Sequence, residues 1–241
     1  TYSKRAKLIG RYFRGEFSKD VVRLETPHFH SEWVRRCYTY KGPVLEWYVR
    51  IKLKLENDFD DIISHIPRNA KVYDLGCGYG YLSFMLAFTS ENRNVTGVDY
   101  DHEKVEVAQN SFYQRGNVSF EQGDLSTFIP EMADVFIIKD VLHYMTPKDQ
   151  DTLLRRCAEQ LNEGGTILIR DGIEEDRKGQ KVTAWTEVMS TKVFGFNKTK
   201  NDLHFLSEQK INDYAVHYGM DIKMIRNESS SNHIFVLRST T

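Results

Sequence analysis

What this 241-residue chain lacks narrows it first. No apolar run approaches the roughly 20 residues that a membrane helix needs. No pattern of basic start, apolar core and small-residue cleavage site opens it. The expected location is therefore cytoplasmic. The chain begins at Thr1 rather than at Met, and a trimmed domain with a missing neighbour is expected. Cysteine is scarce: Cys37, Cys77 and Cys157 are odd in number and far apart, without a CxxC pair. That argues against a disulfide framework and a structural zinc site, and favours reduced thiols. His28 and His30 have metal-like spacing only on a strand, and no acidic or thiol partner stands near them in sequence. No metal is expected. Repeats and low-complexity tracts are absent too.

Net charge is almost absent, at −1, but its distribution is uneven. Residues 1–56 hold 13 Lys/Arg against 6 Asp/Glu, a balance of +7, so the remainder carries −8. A basic arm either meets an acidic partner or docks on its own acidic domain.

Residues 1–66 read as a helical arm. Pro43 opens a helix, as a first-turn proline does. Val44, Leu45, Tyr48, Ile51 and Leu55 form its apolar stripe. The segment 18–42 reads as partly loop. From Ala70 the pattern changes to short apolar runs alternating with amphipathic helices. The runs are Lys71–Leu75, Asn94–Asp99, Val118–Gln122, Ala133–Ile138 and Thr166–Arg170. Near-continuous apolar runs of that length predict strands buried on both faces. Helices are predicted over 81–88, 103–116 and 148–161. The last has Thr146 as cap, Pro147 in its first turn, Asp149 completing the box, and Gly164 as its end.

Strand–helix alternation predicts right-handed crossovers and a parallel sheet. Met220–Arg226 and His233–Arg238 are joined by a short polar turn, so they pair antiparallel. The predicted fold is α/β: a Rossmann-like, seven-stranded sheet with a C-terminal antiparallel hairpin, occupying 67–241, plus the arm at 1–66.

The densest chemistry lies in Val72-Tyr73-Asp74-Leu75-Gly76-Cys77-Gly78-Tyr79-Gly80. It follows a strand and precedes a helix. Its glycines let the backbone turn tightly and approach a ligand. A dinucleotide fingerprint would need glycine at position 81, which is Tyr81. A carboxylate at Asp74 would also sit badly beside a pyrophosphate. Asp99 ends the second strand, where a carboxylate accepts hydrogen bonds from ribose hydroxyls. Asp124 follows the third. Three acidic strand ends in succession match a binding crevice along the carboxyl edge of the sheet. Each could singly be a helix cap, and Asp101 is read as one.

On these residues the chain resembles the class I S-adenosylmethionine (SAM) dependent methyltransferases, over about residues 70–238. The resemblance implies SAM as cofactor. It places Asp74 near the methionine ammonium, and Gly76 and Gly78 where they make room for the cofactor. Asp124 would face the adenine amino group, with Leu125 offering a backbone donor. The implied site also takes in Cys77, Gly80, Tyr100 and Lys139.

After the fourth strand comes Ile137-Ile138-Lys139-Asp140-Val141-Leu142-His143-Tyr144-Met145. It departs from the Asn/Asp-Pro-Pro-aromatic motif of nucleic-acid and protein amide methyltransferases, so nucleic acid is not expected as partner. The stretch Lys139 to Gly172 looks like the small-molecule O-methyltransferases, with Leu142-His143 followed by Tyr144-Met145 where that family has Asp-Trp. The resemblance implies His143 as general base toward a phenol. An unperturbed histidine pKa near 6.5 suits that task, and a phenol with pKa near 10 needs it. Packing near the cofactor is the alternative role for His143. Base-assisted C-methylation ortho to a phenolate is open as well as O-methylation.

The resemblance implies that the region holding Trp185, Met189, Phe194, Phe196 and Phe205 covers the substrate, with ordinary helix packing as the alternative, and the arm is expected to act as a lid. Lys4-Arg5-Ala6-Lys7 and residues 38–48 are similar to methyltransferase domains fused to a lysophospholipid acyltransferase and lipid exporter, of the aryl-polyene or flexirubin type. That implies a small-molecule or carrier-linked aromatic or lipid acceptor, and attachment at the inner membrane surface through a fused domain. Competing readings are a non-catalytic SAM-binding regulatory module and a nucleic-acid methyltransferase.

Overall fold

The computed structural model describes residues 6–7, 27–56, 58–113, 116–177, 203–226 and 232–240. Seven strands are present: β1 (Lys71–Leu75), β2 (Asn94–Asp99), β3 (Val118–Gln122), β4 (Ala133–Lys139), β5 (Leu161–Gly172), β6 (Met220–Ile225) and β7 (Asn232–Ser239). They form one sheet in the order β3-β2-β1-β4-β5-β7-β6. The first five run parallel. β7 is antiparallel to both β5 and β6, which gives the expected terminal hairpin. Strand order reverses on either side of β1, and such a switch point opens a crevice at the carboxyl ends of the strands.

The first three strands match the sequence reading residue for residue, and the other parallel strands are longer than read. Only Phe120 of β3 is buried, because β3 is an edge strand and not a doubly covered one. The helices are α1 (Pro27–Cys37), α2 (Pro43–Leu55), α3 (Phe59–Ser64), α4 (Tyr81–Thr89), α5 (His102–Gln109), α6 (Pro147–Glu159), α7 (Glu174–Arg177) and α8 (Glu208–His217). Thr146 caps α6 by accepting from the Asp149 N–H, and Asp101 caps α5 through Glu103.

Three local expectations are corrected. Gly164 does not end α6; Gln160 closes it, and Gly164, at φ 66°, lies inside β5. Helix α5 stops at Gln109 and not at Gly116, because Phe112 and Tyr113 turn into the core and the Phe112 N–H donates to the Cys37 carbonyl. On α2 the buried positions are Leu45 and Val49, whereas Val44 is exposed.

Residues 27–66 share one hydrophobic cluster with the sheet and α4. Trp33, Val34, Cys37 and Tyr38 are buried beside Phe84 and Leu86. The Tyr38 hydroxyl donates to the Tyr79 carbonyl at 2.6 Å, and Tyr40 donates to Val107 at 2.8 Å. This part of the arm therefore supplies core as well as surface. Most of residues 1–26, including Lys4 and Arg5, lies outside the described residues, as do the side chains of His28 and His30. Trp185, Met189, Phe194 and Phe196 lie outside them too. No helix among the described residues is long and apolar enough to cross a membrane.

Candidate functional site

A cavity of about 430 Å³ opens at the carboxyl edge of β1 to β4. Its floor is the loop between β1 and α4. The N–H groups of Gly76 and Cys77 both donate to the Val98 carbonyl, at 2.8 and 3.0 Å, folding the loop over the end of β2. Gly76, Gly78 and Gly80 all have positive φ, at 83°, 56° and 76°, a conformation that side chains disfavour. A Cβ on Gly76 would meet the Val141 side chain at 2.9 Å, and one on Gly80 would meet the Phe120 ring at 2.3 Å. At Gly78 it would meet nothing within 4 Å, so there the loop faces open space.

Asp99 lines the cavity and organises this loop. Its Oδ2 accepts from the Gly78 N–H at 2.7 Å and its Oδ1 from the Asp101 N–H at 2.9 Å. Each oxygen keeps acceptor capacity for a ligand hydroxyl. Tyr100 lines the same wall and is half exposed. Asp124 and Leu125 lie at the far end; Asp124 Oδ1 accepts from the Ser126 N–H at 2.9 Å. Gly76, Cys77, Gly78, Asp99, Tyr100, Asp124, Leu125 and Lys139 are thus brought to one cavity.

Asp74 and Gly80 are not on that lining. Asp74 is buried beneath the loop, where it accepts from the Ser83 hydroxyl at 2.5 Å. Burial pushes its carboxyl up to about 6, with the Ser83 bond opposing. A carboxylate so enclosed secures α4 to β1. Gly80 serves the packing of Phe120.

His143 sits in a short 3-10 turn, Leu142–Tyr144, after β4. Its neighbours Val141, Tyr144 and Met145 line the cavity; His143 does not. The ring is buried. Its Nδ1 lies 2.6 Å from Asp171 Oδ1, and one face stacks on Phe205 at 5.1 Å between ring centroids.

The opposite wall holds residues that sequence reasoning did not select. Tyr48 and Lys52 reach the cavity from α2, and Asp140 from the end of β4. Asp140 is the one non-glycine residue with positive φ among the described residues, at 55°. Six charges alternate there. Lys52 Nζ pairs with Glu56 at 2.8 Å, Glu56 with Lys139 at 2.7 Å, and Lys139 with Asp140 at 2.8 Å. Asp140 also pairs with Arg170, which pairs with Asp58 at 2.6 Å. Burial opposes every one of these charges. The attractions outweigh it: Lys139 and Arg170 hold the Asp140 carboxyl well below the usual range, and Lys139 and Lys52 lower Glu56. The pairs span up to 112 residues of sequence, so no local spacing announces them.

Comparison with known proteins adds the family. The model of the family described as "Methyltransferase domain" matches residues 66–211, more than half of the chain, and leaves most of the arm outside it. The chain is similar to O-methyltransferase 12 of Dictyostelium discoideum, 25% identical over 183 residues that cover 72% of this chain and 49% of the relative. It is also similar to the carboxy-S-adenosyl-L-methionine synthase of Campylobacter lari, 27% identical over 114 residues, 46% of this chain and 49% of the relative. The chain thus spans about half the length of these curated relatives. Among solved structures it resembles human N-acetylserotonin methyltransferase in complex with SAM, with TM-score 0.61 and 18% identity, covering 89% of this chain and 65% of that one. It also resembles the mitomycin 7-O-methyltransferase MmcR, with TM-score 0.60 and 19% identity, covering 81% and 57%. At those identities the structures speak for the fold.

Proposed function

The chain belongs to the methyltransferase-domain family, and on that footing we propose that its cavity binds SAM and that it methylates a hydroxyl, or a carbon ortho to a phenolate, on a small aromatic or lipid-linked acceptor. The observation that carries the cofactor assignment is the glycine loop closed around the Asp99 carboxylate at the switch point of the sheet. Backbone at Gly78 approaches the ligand without a side chain in the way. Asp99 accepts from ribose hydroxyls, and Tyr100 offers an aromatic face to the adenine. Asp99, Asp124 and Asp140 line the cavity at three strand ends beside Lys52, Lys104 and Lys139, a mixed lining that suits a ligand carrying both positive and negative charge.

When bound, SAM supplies the electrophilic methyl group. The residues of the chain then have two tasks: to hold an acceptor in line with that methyl, and to take the acceptor proton. We assign the second task to His143, whose buried ring lies behind the cavity-lining Val141, Tyr144 and Met145, so that proton transfer requires the acceptor or these neighbours to give access to it. Asp171 Oδ1, 2.6 Å from the ring Nδ1, would stabilise the imidazolium formed by proton transfer. The O-methyltransferase relative supports a hydroxyl as target. Membership of a longer protein with an acyltransferase domain rests on the arm sequence alone.

The test is incubation with isotopically labelled SAM and extracts of phenolic or lipid compounds, read by mass spectrometry. A labelled product one methylene heavier supports the reading. SAM binding without any product across such extracts favours a regulatory SAM module instead.

A further inference from the structure

The cavity-facing charges of the alternating network have a chemical meaning. We infer that Lys52 and Asp140 form the subsite for the α-amino-acid head of SAM, with Lys52 taking its carboxylate and Asp140 its ammonium. This rests on the cavity being the SAM site.

Exposure singles out these two. The side chains of Glu56, Lys139, Arg170 and Asp58 are at most 8% exposed, whereas Lys52 is 30% and Asp140 25% exposed, and both line the cavity. Lys139 lines the cavity too but is only 5% exposed, so one well-exposed cation and one anion of the network are presented, as a zwitterion requires. Both retain bonding capacity. Lys52 has one ion-pair partner, Glu56, and an ammonium has three donors. Asp140 Oδ1 accepts from Arg170 and Asn232, but Oδ2 accepts from Lys139 alone. With three cations and three anions, the network is neutral and repels neither end of the head.

Position agrees. Asp124 follows β3, Asp99 ends β2 and Asp140 follows β4, on the other side of β1. An adenine near Asp124 and a ribose at Asp99 leave the remaining part of the cofactor pointing across the glycine loop toward β4. There the enclosed Asp74, bonded to Ser83, is not on the cavity lining. Asp140 takes the role that Asp74 does not fill. Lys52 comes from the arm, so the arm completes the cofactor site itself.

Calorimetric titrations of the full chain test this with three ligands. S-adenosylhomocysteine has the whole head, 5′-methylthioadenosine has none, and decarboxylated S-adenosylhomocysteine has only the ammonium. Lys52→Met is expected to weaken S-adenosylhomocysteine by roughly tenfold to a hundredfold and to leave the other two within about twofold. Lys52→Arg should recover most of the loss. Asp140→Asn, which tolerates the positive φ, should weaken both amine-bearing ligands and spare methylthioadenosine. A Lys52→Met protein that loses all three ligands alike, or none, overturns the inference, and this arm decides even if Asp140→Asn fails to fold. Wild type that binds none of the three overturns the reading of the cavity as the SAM site, a different failure.

Discussion

The Asp171 carboxylate grips His143 twice: Oδ1 lies 2.6 Å from the ring Nδ1, and Oδ2 accepts from the His143 backbone N–H at 3.3 Å. One side chain thus holds both the backbone and the ring of His143. General-base help is worth about 10²–10⁴ in rate, so His143→Ala should lower turnover by that order while S-adenosylhomocysteine affinity stays near wild type. Asp171→Asn should also lower turnover, because the amide can donate to Nδ1 and move the proton to Nε2. Near-normal turnover in His143→Ala on the true acceptor contradicts the base role and leaves the ring as packing for Phe205.

The glycine loop predicts an order of damage. Gly80→Ala meets the Phe120 ring and Gly76→Ala meets Val141, both from backbone that already disfavours a side chain. Gly78→Ala carries the backbone penalty alone, about 1–2 kcal/mol. Urea unfolding should therefore rank Gly78→Ala as the mildest of the three. Equal losses at all three positions contradict the contacts described.

Asp74 predicts a pH signature. Its carboxyl, raised by burial to about 6 from an ordinary 3.8, holds a proton in the folded state after the unfolded chain has lost it. Stability from this group therefore falls as pH rises from about 4 to about 6, by on the order of 3 kcal/mol. Asp74→Asn removes that dependence. The melting temperature of the variant relative to wild type should rise between pH 4 and pH 7.5. A difference that stays constant with pH contradicts the assignment.

Truncation tests the arm. Removing residues 1–40 takes away Trp33, Val34, Cys37 and Tyr38 from the core. The expected result is a chain that does not fold cooperatively, and not a folded protein that merely lacks turnover. Tyr38→Phe, which removes the buried hydroxyl that donates to the Tyr79 carbonyl, should cost about 1–3 kcal/mol by urea unfolding. A truncated chain with an unchanged melting transition contradicts this account.

Much of this fold was legible because it is local. The glycine loop, the caps at Thr146 and Asp101, and the buried runs of β1 and β2 each announce themselves within ten residues of sequence. So did Asp99 and Asp124 of the cavity lining, since both fall at strand ends. What stayed hidden is non-local. Glu56 and Lys139 lie 83 positions apart, and their pairing follows only from α2 crossing the end of β4. Lys52 and Glu56 are spaced i,i+4, which by itself marks nothing more than a pair on a helix face. Asp74 matched a motif at the right spacing, but its orientation depends on Ser83 of α4. His143 and Asp171 meet because β4 and β5 are neighbours, a fact that periodicity within either strand does not contain.

The central claim, that the cavity at the carboxyl edge is the SAM site, turns most directly on Asp99. The measurement is calorimetric titration of S-adenosylhomocysteine into wild type and Asp99→Ala, with melting temperature followed alongside. The account predicts saturable binding to wild type and a loss of about 1.5–3 kcal/mol in the variant, as expected for charge-assisted bonds to ribose hydroxyls. A folded Asp99→Ala protein that binds with unchanged affinity would contradict it.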